Sequence, residues 1–205
     1  MRLKNPFRNR WIRVVGATLG ALFLVPIPGL ALTFLSPWTV LSNVATGPGV
    51  PQAIVTALAD GNNGKGPVGR ILVDMGSVDT SKSGSGSSTV VLQRRFSVDQ
   101  ASGEHLQYLP SFSSELKNSS GTISAVIGRL QNNRFTPVFY YTTLYGNANG
   151  NTPVTFEYAG NGFISPIIGK GSQYALRITF SYSKRGNGYW KPKKISHHKF
   201  EFSRA

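Results

Sequence analysis

The chain has 205 residues, a formal net charge of +14 and no cysteine. The absence of cysteine excludes disulfide bonds, thiolate catalysis and cysteine-ligated zinc or iron–sulfur sites, and it is more typical of a bacterial envelope or viral protein than of a small secreted eukaryotic module. The surplus of 22 basic over eight acidic residues favours anionic partners.

Residues 1–35 join a basic head to an apolar segment. Five cations and no carboxylate precede Val14, and Thr18 and Thr33 are the only hydroxyl residues between Val14 and Leu35. This pattern predicts an apolar helix that targets the chain to a membrane. The basic flank would stay cytoplasmic, and the rest of the chain would be exported.

Two interpretations of this head remain open. In the first, it is a signal peptide that ends at Pro26 and Pro28 and is cleaved near Ala31, where small residues occupy the positions that a signal peptidase reads. In the second, residues 14–35 form an uncleaved single-pass anchor, because a run of about 20 apolar residues is long enough to cross a bilayer.

Residues 36–69 are rich in proline and glycine and are predicted to be a linker. Within them, residues 52–60 (QAIVTALAD) form the one segment that favours a short soluble helix. Glycines follow at once in GNNGKGPVG and would end that helix.

From residue 70 onward, short apolar or alternating runs are separated by turn residues. The clearest run spans residues 173–184, where Tyr174, Leu176, Ile178, Phe180 and Tyr182 occupy alternate positions. Strict alternation is typical of an antiparallel strand with one buried face. About eight such strands predict an all-β fold, an antiparallel β-sandwich or jelly roll over residues 70–205.

The C-terminal part carries the clearest candidate binding site. Basic side chains alternate with aromatic rings here, and Asn187–Gly188 favours a type I′ hairpin turn. Cations can pair with phosphates while rings stack on bases or lie at a lipid interface. The candidate polyanion-binding residues are Lys184, Arg185, Tyr189, Trp190, Lys191, Lys193, Lys194 and Lys199. Alternatively, the rings close the core and the lysines only solubilise the surface.

No catalytic, metal-binding or cofactor-binding residues are predicted, and no small-molecule substrate is inferred. His197 and His198 are adjacent in a predicted strand, so their side chains would point to opposite faces and could not bind one metal ion together. The sequence therefore predicts a non-enzymatic structural or assembly protein. It would be membrane-anchored or exported and would act through protein partners in an envelope complex or virion. The alternative is a module that binds anionic lipid, glycan or nucleic acid.

Overall fold

The computed structural model describes residues 32–64, 66–159, 163–193 and 198–205, and none of these residues is helical. The prediction of an all-β antiparallel sandwich is confirmed for this part of the chain. Its strands are β1 (Leu32–Phe34), β2 (Thr39–Thr46), β3 (Ile54–Ala57), β4 (Gly61–Asn62), β5 (Pro67–Asp74), β6 (Gly86–Val98), β7 (Leu106–Gln131), β8 (Arg134–Ala148), β9 (Val154–Ala159), β10 (Phe163–Ile164), β11 (Gly171–Pro192) and β12 (His198–Arg204).

Strand β7 is long enough to belong to two sheets. Its first half pairs with β12, and from Ser114 onward it pairs with β11. The first sheet has the order β2–β6–β11–β7–β8, with β1 beside the end of β6. The second has the order β3–β5–β12–β7–β9, with β10 beside the start of β7 and β4 beside β5.

Aromatic side chains fill the space between the two sheets. Phe96 of the first sheet packs edge-on against Phe202 of the second, with ring centroids 5.2 Å apart. Further along β11, the ring of Tyr182 stacks on that of Trp190, with centroids 5.0 Å apart. All four side chains are buried. Burial of such large apolar groups is the main contribution to the stability of a sandwich without disulfides.

The alternation predicted for β11 is confirmed. Tyr174, Leu176, Ile178, Phe180 and Tyr182 are all buried, whereas the residues between them, apart from Ala175, remain partly exposed.

The N-terminal predictions need two corrections. The predicted helix over residues 52–60 is wrong, because Ile54–Ala57 form strand β3, paired with β5. The predicted linker over residues 36–69 is also wrong, because it contributes β2, β3 and β4 to the sandwich. Both errors have one cause: these strands form by pairing with distant residues, which local sequence does not show.

Residues 1–31 lie outside the described ranges, so the signal peptide and the anchor stay predictions there. The predicted apolar helix does not reach Leu35, because Leu32–Phe34 form β1 and pair with β6. Leu32 is 1% exposed within the core. The sandwich therefore includes residues from Leu32 onward and is not confined to residues 70–205. No helix in the described part of the chain could cross a bilayer.

The predicted hairpin turn at Asn187–Gly188 is also corrected. Strand β11 stays beside β7: Lys184 pairs with Ser119, and Tyr189 pairs with Lys117. The residues between them form a bulge. Asn118 of β7 has a φ of 42° at this point and donates a hydrogen bond from Nδ2 to the carbonyl oxygen of Arg185 at 2.9 Å. The bulge thus lets β11 follow the bend of β7 without reversing direction.

Candidate functional site

A buried carboxylate organises the basic C-terminal residues. Glu115 Oε1 accepts hydrogen bonds from the Tyr189 hydroxyl at 2.7 Å and from Lys191 Nζ at 2.8 Å, and Oε2 accepts one from Lys193 Nζ at 2.8 Å. These contacts, first those with the lysines and then that with Tyr189, lower the pKa of Glu115 from its ordinary range to about 2. Glu115 is therefore ionised at neutral pH and neutralises part of the predicted basic cluster.

Other predicted polyanion-binding residues are separated by the fold. Trp190 is 1% exposed and donates its indole N–H to the carbonyl oxygen of Met75 at 3.2 Å. Lys184 is 2% exposed, and its ammonium donates to the carbonyl oxygen of Lys82 at 3.1 Å. Tyr189 and Trp190 are adjacent in a strand and lie on opposite faces, so they cannot stack on one ligand together.

The remaining predicted residues lie in different places. Arg185 is exposed in the bulge. Lys194 lies outside the described residues, and Lys199 is described only as a backbone position in β12, paired with Leu72 and Ser111. Polyanion binding by this segment stays a prediction, because the structure does not bring these residues into one cluster.

The outward face of the first sheet brings together more groups that could contact a ligand than the basic C-terminal segment does. The outward-facing side chains of the first sheet form cross-strand rows, which we call the platform. In one row, Thr39, Gln93, Arg177, Val126 and Tyr140 follow one another from β2 to β8. The next rows are Ser42, Val91, Thr179 and Ser124; then Val44, Thr89, Ser181 and Thr122; then Thr46, Ser87, Ser183, Ser120 and Asn147.

The alternation of each strand separates the platform from the core. Residues that alternate with the platform residues, such as Leu92, Ala125 and Ile178, are buried. The platform residues Thr89, Ser124 and Thr179 remain partly exposed, because no layer formed by the described residues covers them. Hydroxyls pair across strands, as between Thr89 and Ser181 at 2.9 Å and between Ser120 and Ser183 at 2.9 Å. The result is an uncovered sheet face rich in hydroxyl groups.

Arg177 is held in a fixed position on the platform. Its Nε donates a hydrogen bond to Gln93 Oε1 at 2.8 Å, and its guanidinium carbon lies 3.9 Å from the centroid of the Phe135 ring. Partial burial lowers the pKa of Arg177, but a guanidinium remains charged at neutral pH. The hydrogen bond uses one of the five N–H donors, which leaves the terminal nitrogens of a pre-oriented, planar group for a ligand.

Gly128 makes room for this arrangement. A Cβ at Gly128 would lie 2.5 Å from the Phe135 ring and 2.8 Å from the carbonyl oxygen of Thr136. A side chain here would therefore displace the ring that supports Arg177.

The two ends of the platform differ. At the end nearer Arg177, Tyr140 is 65% exposed on β8. The other end contains a cavity of about 130 Å³ lined by amides, hydroxyls and one cation: Asn118, Ser119, Ser120, Asn147, Asn149, Ser183 and Arg185. From Arg177 to Ser183 the strand extends for roughly 20 Å. The platform thus offers an aromatic ring at one end, a polar pocket at the other and hydroxyl groups between them.

Sequence reasoning missed this surface. Arg177, Thr179 and Ser181 occupy the polar side of the best predicted strand, and that alternation was the available signal. The identity of their neighbours on β6, β7 and β8 depends on strand order, which the sequence does not show. Among the described residues, no group of histidines and carboxylates could hold a metal ion.

No protein-family model matches the sequence, and no curated protein is significantly similar to it. Solved structures with a similar strand arrangement include the enzymatically active domain of tailspike protein 4 from bacteriophage CBA120, at 15% identity and a TM-score of 0.34 over 83% of this chain. The match covers 20% of that tailspike chain.

Two carbohydrate-binding modules are similar over most of their length. TmCBM61, solved with β-1,4-galactotriose, is 14% identical with a TM-score of 0.31, covering 86% of this chain and 92% of that one. TmCBM27, which recognises mannan, is 10% identical with a TM-score of 0.31, covering 83% and 100%. These scores are too low to support conclusions about function.

Proposed function

We propose that this protein is a non-catalytic glycan-binding domain that holds a neutral oligosaccharide against the platform. The observation that carries the proposal is the row in which Gln93, Arg177 and Tyr140 lie side by side on an uncovered face. Gln93 and Phe135 fix the guanidinium before a ligand arrives, so little side-chain entropy is lost on binding.

The platform matches the chemistry of a sugar. A pyranose ring has an apolar C–H face that can pack on an aromatic ring and a rim of hydroxyls that both donate and accept hydrogen bonds. Tyr140 provides an exposed ring. Arg177 provides donors, and the serine and threonine hydroxyls provide both donors and acceptors. The polar cavity at the far end could receive a further sugar unit through its amide groups.

A protein partner fits the platform less well. The cores of protein–protein interfaces are enriched in aromatic residues, methionine and arginine and depleted in serine. The platform rows are dominated by serine, threonine and valine. A polyanion also fits less well, because Arg177 is joined on this face only by the exposed Arg95 in the adjacent row and by Arg185 in the cavity among the described residues, and polyanion binding requires many cations.

Affinity electrophoresis of the full chain tests this function. Native gels would contain soluble mannan, galactan, xylan or hydroxyethylcellulose, with heparin as the anionic comparison. We expect at least one neutral polysaccharide to retard the protein, with little change in retardation between 50 and 500 mM salt. Retardation by heparin alone, lost steeply as salt rises, would contradict the platform function and favour the polyanion alternative.

A structural or assembly role remains a second proposal. Exposed apolar side chains on β2 favour it: Val40, Leu41 and Val44 are 47%, 44% and 51% exposed. In the described part of the chain, β2 pairs only with β6, so its outer edge could accept a strand from a partner. If so, replacing Leu41 with Lys should convert an oligomer to a monomer in light scattering. A monomeric wild-type chain would contradict it.

Export of the body also remains a proposal. Leu32 is built into the core of the sandwich, so an anchor could extend no further than residue 31. Intact mass of the protein from its native source tests this step. Loss of residues 1–31 would indicate a cleaved signal peptide. A full-length chain in a membrane fraction would indicate an uncleaved anchor. A full-length chain in the cytoplasm would contradict both interpretations.

A further inference from the structure

The geometry points to a second, separate ligand site: a groove at the end of the sandwich that binds a small amphipathic anion. The groove has two chambers that share Arg129 and Tyr174. The larger, about 310 Å³, is also lined by Gln131, Lys170 and Gln173. The smaller, about 140 Å³, is lined mainly by apolar side chains, among them Val138, Phe139 and Ile167.

The floor of the groove is fixed by core packing. Tyr174 is 3% exposed, and its ring stacks on Phe96 with centroids 5.6 Å apart. The guanidinium carbon of Arg129 lies 5.7 Å from the centroid of the Tyr174 ring. Arg129 therefore lies where the two chambers meet, beside a ring that cannot move without disturbing the core.

The loop that carries the apolar wall is also anchored. Ile168 exchanges two backbone hydrogen bonds with Glu104, at 2.9 and 2.8 Å, and the Ser165 amide donates to the carbonyl oxygen of Leu106 at 2.8 Å. Gly103 allows this close approach, because a Cβ there would lie 2.6 Å from the carbonyl oxygen of Ile168. Ile167 lies within this fixed segment and yet is 61% exposed. A large apolar side chain held at a groove wall is available to a ligand.

The charge in the groove has one sign. Among the described residues that line the two chambers, Arg129 and Lys170 are cationic and none is acidic. Of the carboxylates near the groove, Glu104 in the anchoring turn is ion-paired with Arg204 at 2.7 Å, and Asp99, which follows the partner of Gly171 on β6, accepts a hydrogen bond from the Thr33 hydroxyl at 3.0 Å. Two cations and two glutamine amides in a concave site favour a carboxylate or phosphate group. The adjoining apolar chamber should bind an anion with a hydrocarbon chain more tightly than the free inorganic ion.

Isothermal titration of the full chain with alkyl phosphates tests this site. The probes are butyl, hexyl and octyl phosphate, each below its aggregation concentration, with inorganic phosphate and octyl glucoside as the charge-only and chain-only comparisons. We expect octyl phosphate to bind most tightly. Affinity should rise with chain length by no more than about fourfold for each methylene that becomes fully buried. The double variant Arg129→Gln/Lys170→Gln should weaken binding at least tenfold.

Matched variants measure the contribution of each chamber to binding separately. Lys82→Gln/Lys117→Gln removes the same charge from positions outside both the groove and the platform rows and should bind octyl phosphate like the wild type. Ile167→Ser should abolish the dependence on chain length while leaving butyl phosphate binding nearly unchanged. Each variant is first compared with the wild type by circular dichroism and thermal unfolding.

Each possible result of the titrations overturns a different part of the inference. Equal binding of octyl glucoside and octyl phosphate would overturn the anion site, and equal binding of inorganic and octyl phosphate would overturn the apolar chamber. No binding of any probe would overturn the whole inference. None of these results affects the platform, because Arg129 and Lys170 do not belong to its rows.

Discussion

The guanidinium of Arg177 lies 3.9 Å from the centroid of the Phe135 ring, and this contact joins β11 to β8 across β7. The ring itself lies over Gly128, the position on β7 that has no side chain. Arg177, the one charged residue in the platform rows, is therefore held by Phe135 on β8 and by Gln93 on β6, above the gap that Gly128 leaves on β7. Such a fixed donor is more useful for recognition than a mobile surface arginine.

Replacing Phe135 with Leu should weaken glycan binding while leaving the fold intact. The leucine keeps apolar cover over Gly128 but removes the ring face, which contributes about 0.5–1 kcal/mol to holding a cation. We expect a two- to fivefold rise in the dissociation constant of the retained polysaccharide, measured by titration calorimetry. Phe135→Tyr keeps the ring and is the matched control. Equal affinity of the leucine and tyrosine variants would show that the contact does not support binding.

Replacing Trp190 with Ala should destabilise the sandwich strongly. The side chain is buried against Tyr182, and truncation of such a residue costs about 3–5 kcal/mol. Urea unfolding measures the loss. The comparison variant is Tyr189→Phe, which loses only the hydrogen bond to Glu115 and should cost about 1 kcal/mol. Similar costs for both variants would contradict the burial of the Trp190 ring in the core.

Glu115 should make the protein less stable in acid. Its pKa is about 2 in the folded chain because Lys191, Lys193 and Tyr189 favour the carboxylate, whereas in the unfolded chain it titrates near 4.3. The stabilisation is therefore fully present above about pH 4.3 and is lost as the pH falls toward 2. We expect about 1 kcal/mol, since solvent screens the partly exposed lysines.

The variant Glu115→Gln isolates this contribution. The free energy of unfolding of the wild type minus that of the variant should fall between pH 6 and pH 2.5, because the glutamine does not titrate. The same variant frees two lysines, so it should elute from heparin at higher salt than the wild type. A difference in unfolding free energy that stays constant with pH would show that Glu115 has an ordinary pKa.

Replacing Asp60 with Asn should destabilise the protein more than a surface ion-pair variant does. Arg94 is buried over Phe34 and makes two hydrogen bonds to Asp60, at 2.6 and 2.5 Å. Removal of the carboxylate leaves a buried charge unpaired and should cost about 1–3 kcal/mol. Glu201→Gln, which breaks the pair with Arg70, a guanidinium far more exposed than that of Arg94, should cost less than about 1 kcal/mol. Denaturant unfolding compares them, and equal costs would contradict the buried pairing.

The buried face of a strand could be predicted from the sequence, because it depends on period-two alternation of apolar residues. Tyr174 to Tyr182 were assigned to one buried face because large apolar residues recur at every second position. In β6, Arg94 alternates with Leu92 and Phe96 and is an exception to the apolar pattern of that side of the strand. The structure explains the exception: Asp60, 34 residues earlier, neutralises the buried guanidinium. No local pattern links the two residues.

The features that the sequence did not predict depend on pairing between strands that are distant along the chain. Residues 52–60 have helix-forming residues, yet Ile54–Ala57 join β5 because the sheet edge offers backbone partners. Asn187–Gly188 has the composition of a hairpin turn, yet the bend at Asn118 turns it into a bulge. The platform could not be predicted for the same reason, since Gln93, Arg177 and Tyr140 come from three strands that are far apart in the sequence.

Affinity electrophoresis of the platform variants tests the central claim most directly. The wild type should be retarded by at least one neutral polysaccharide, and Arg177→Gln and Tyr140→Ala should each abolish most of that retardation. Lys82→Gln and Val154→Ala, matched exposed positions away from the platform, should leave it unchanged. Retardation that survives both platform variants, or a wild type that no neutral polysaccharide retards, would contradict glycan binding at the platform.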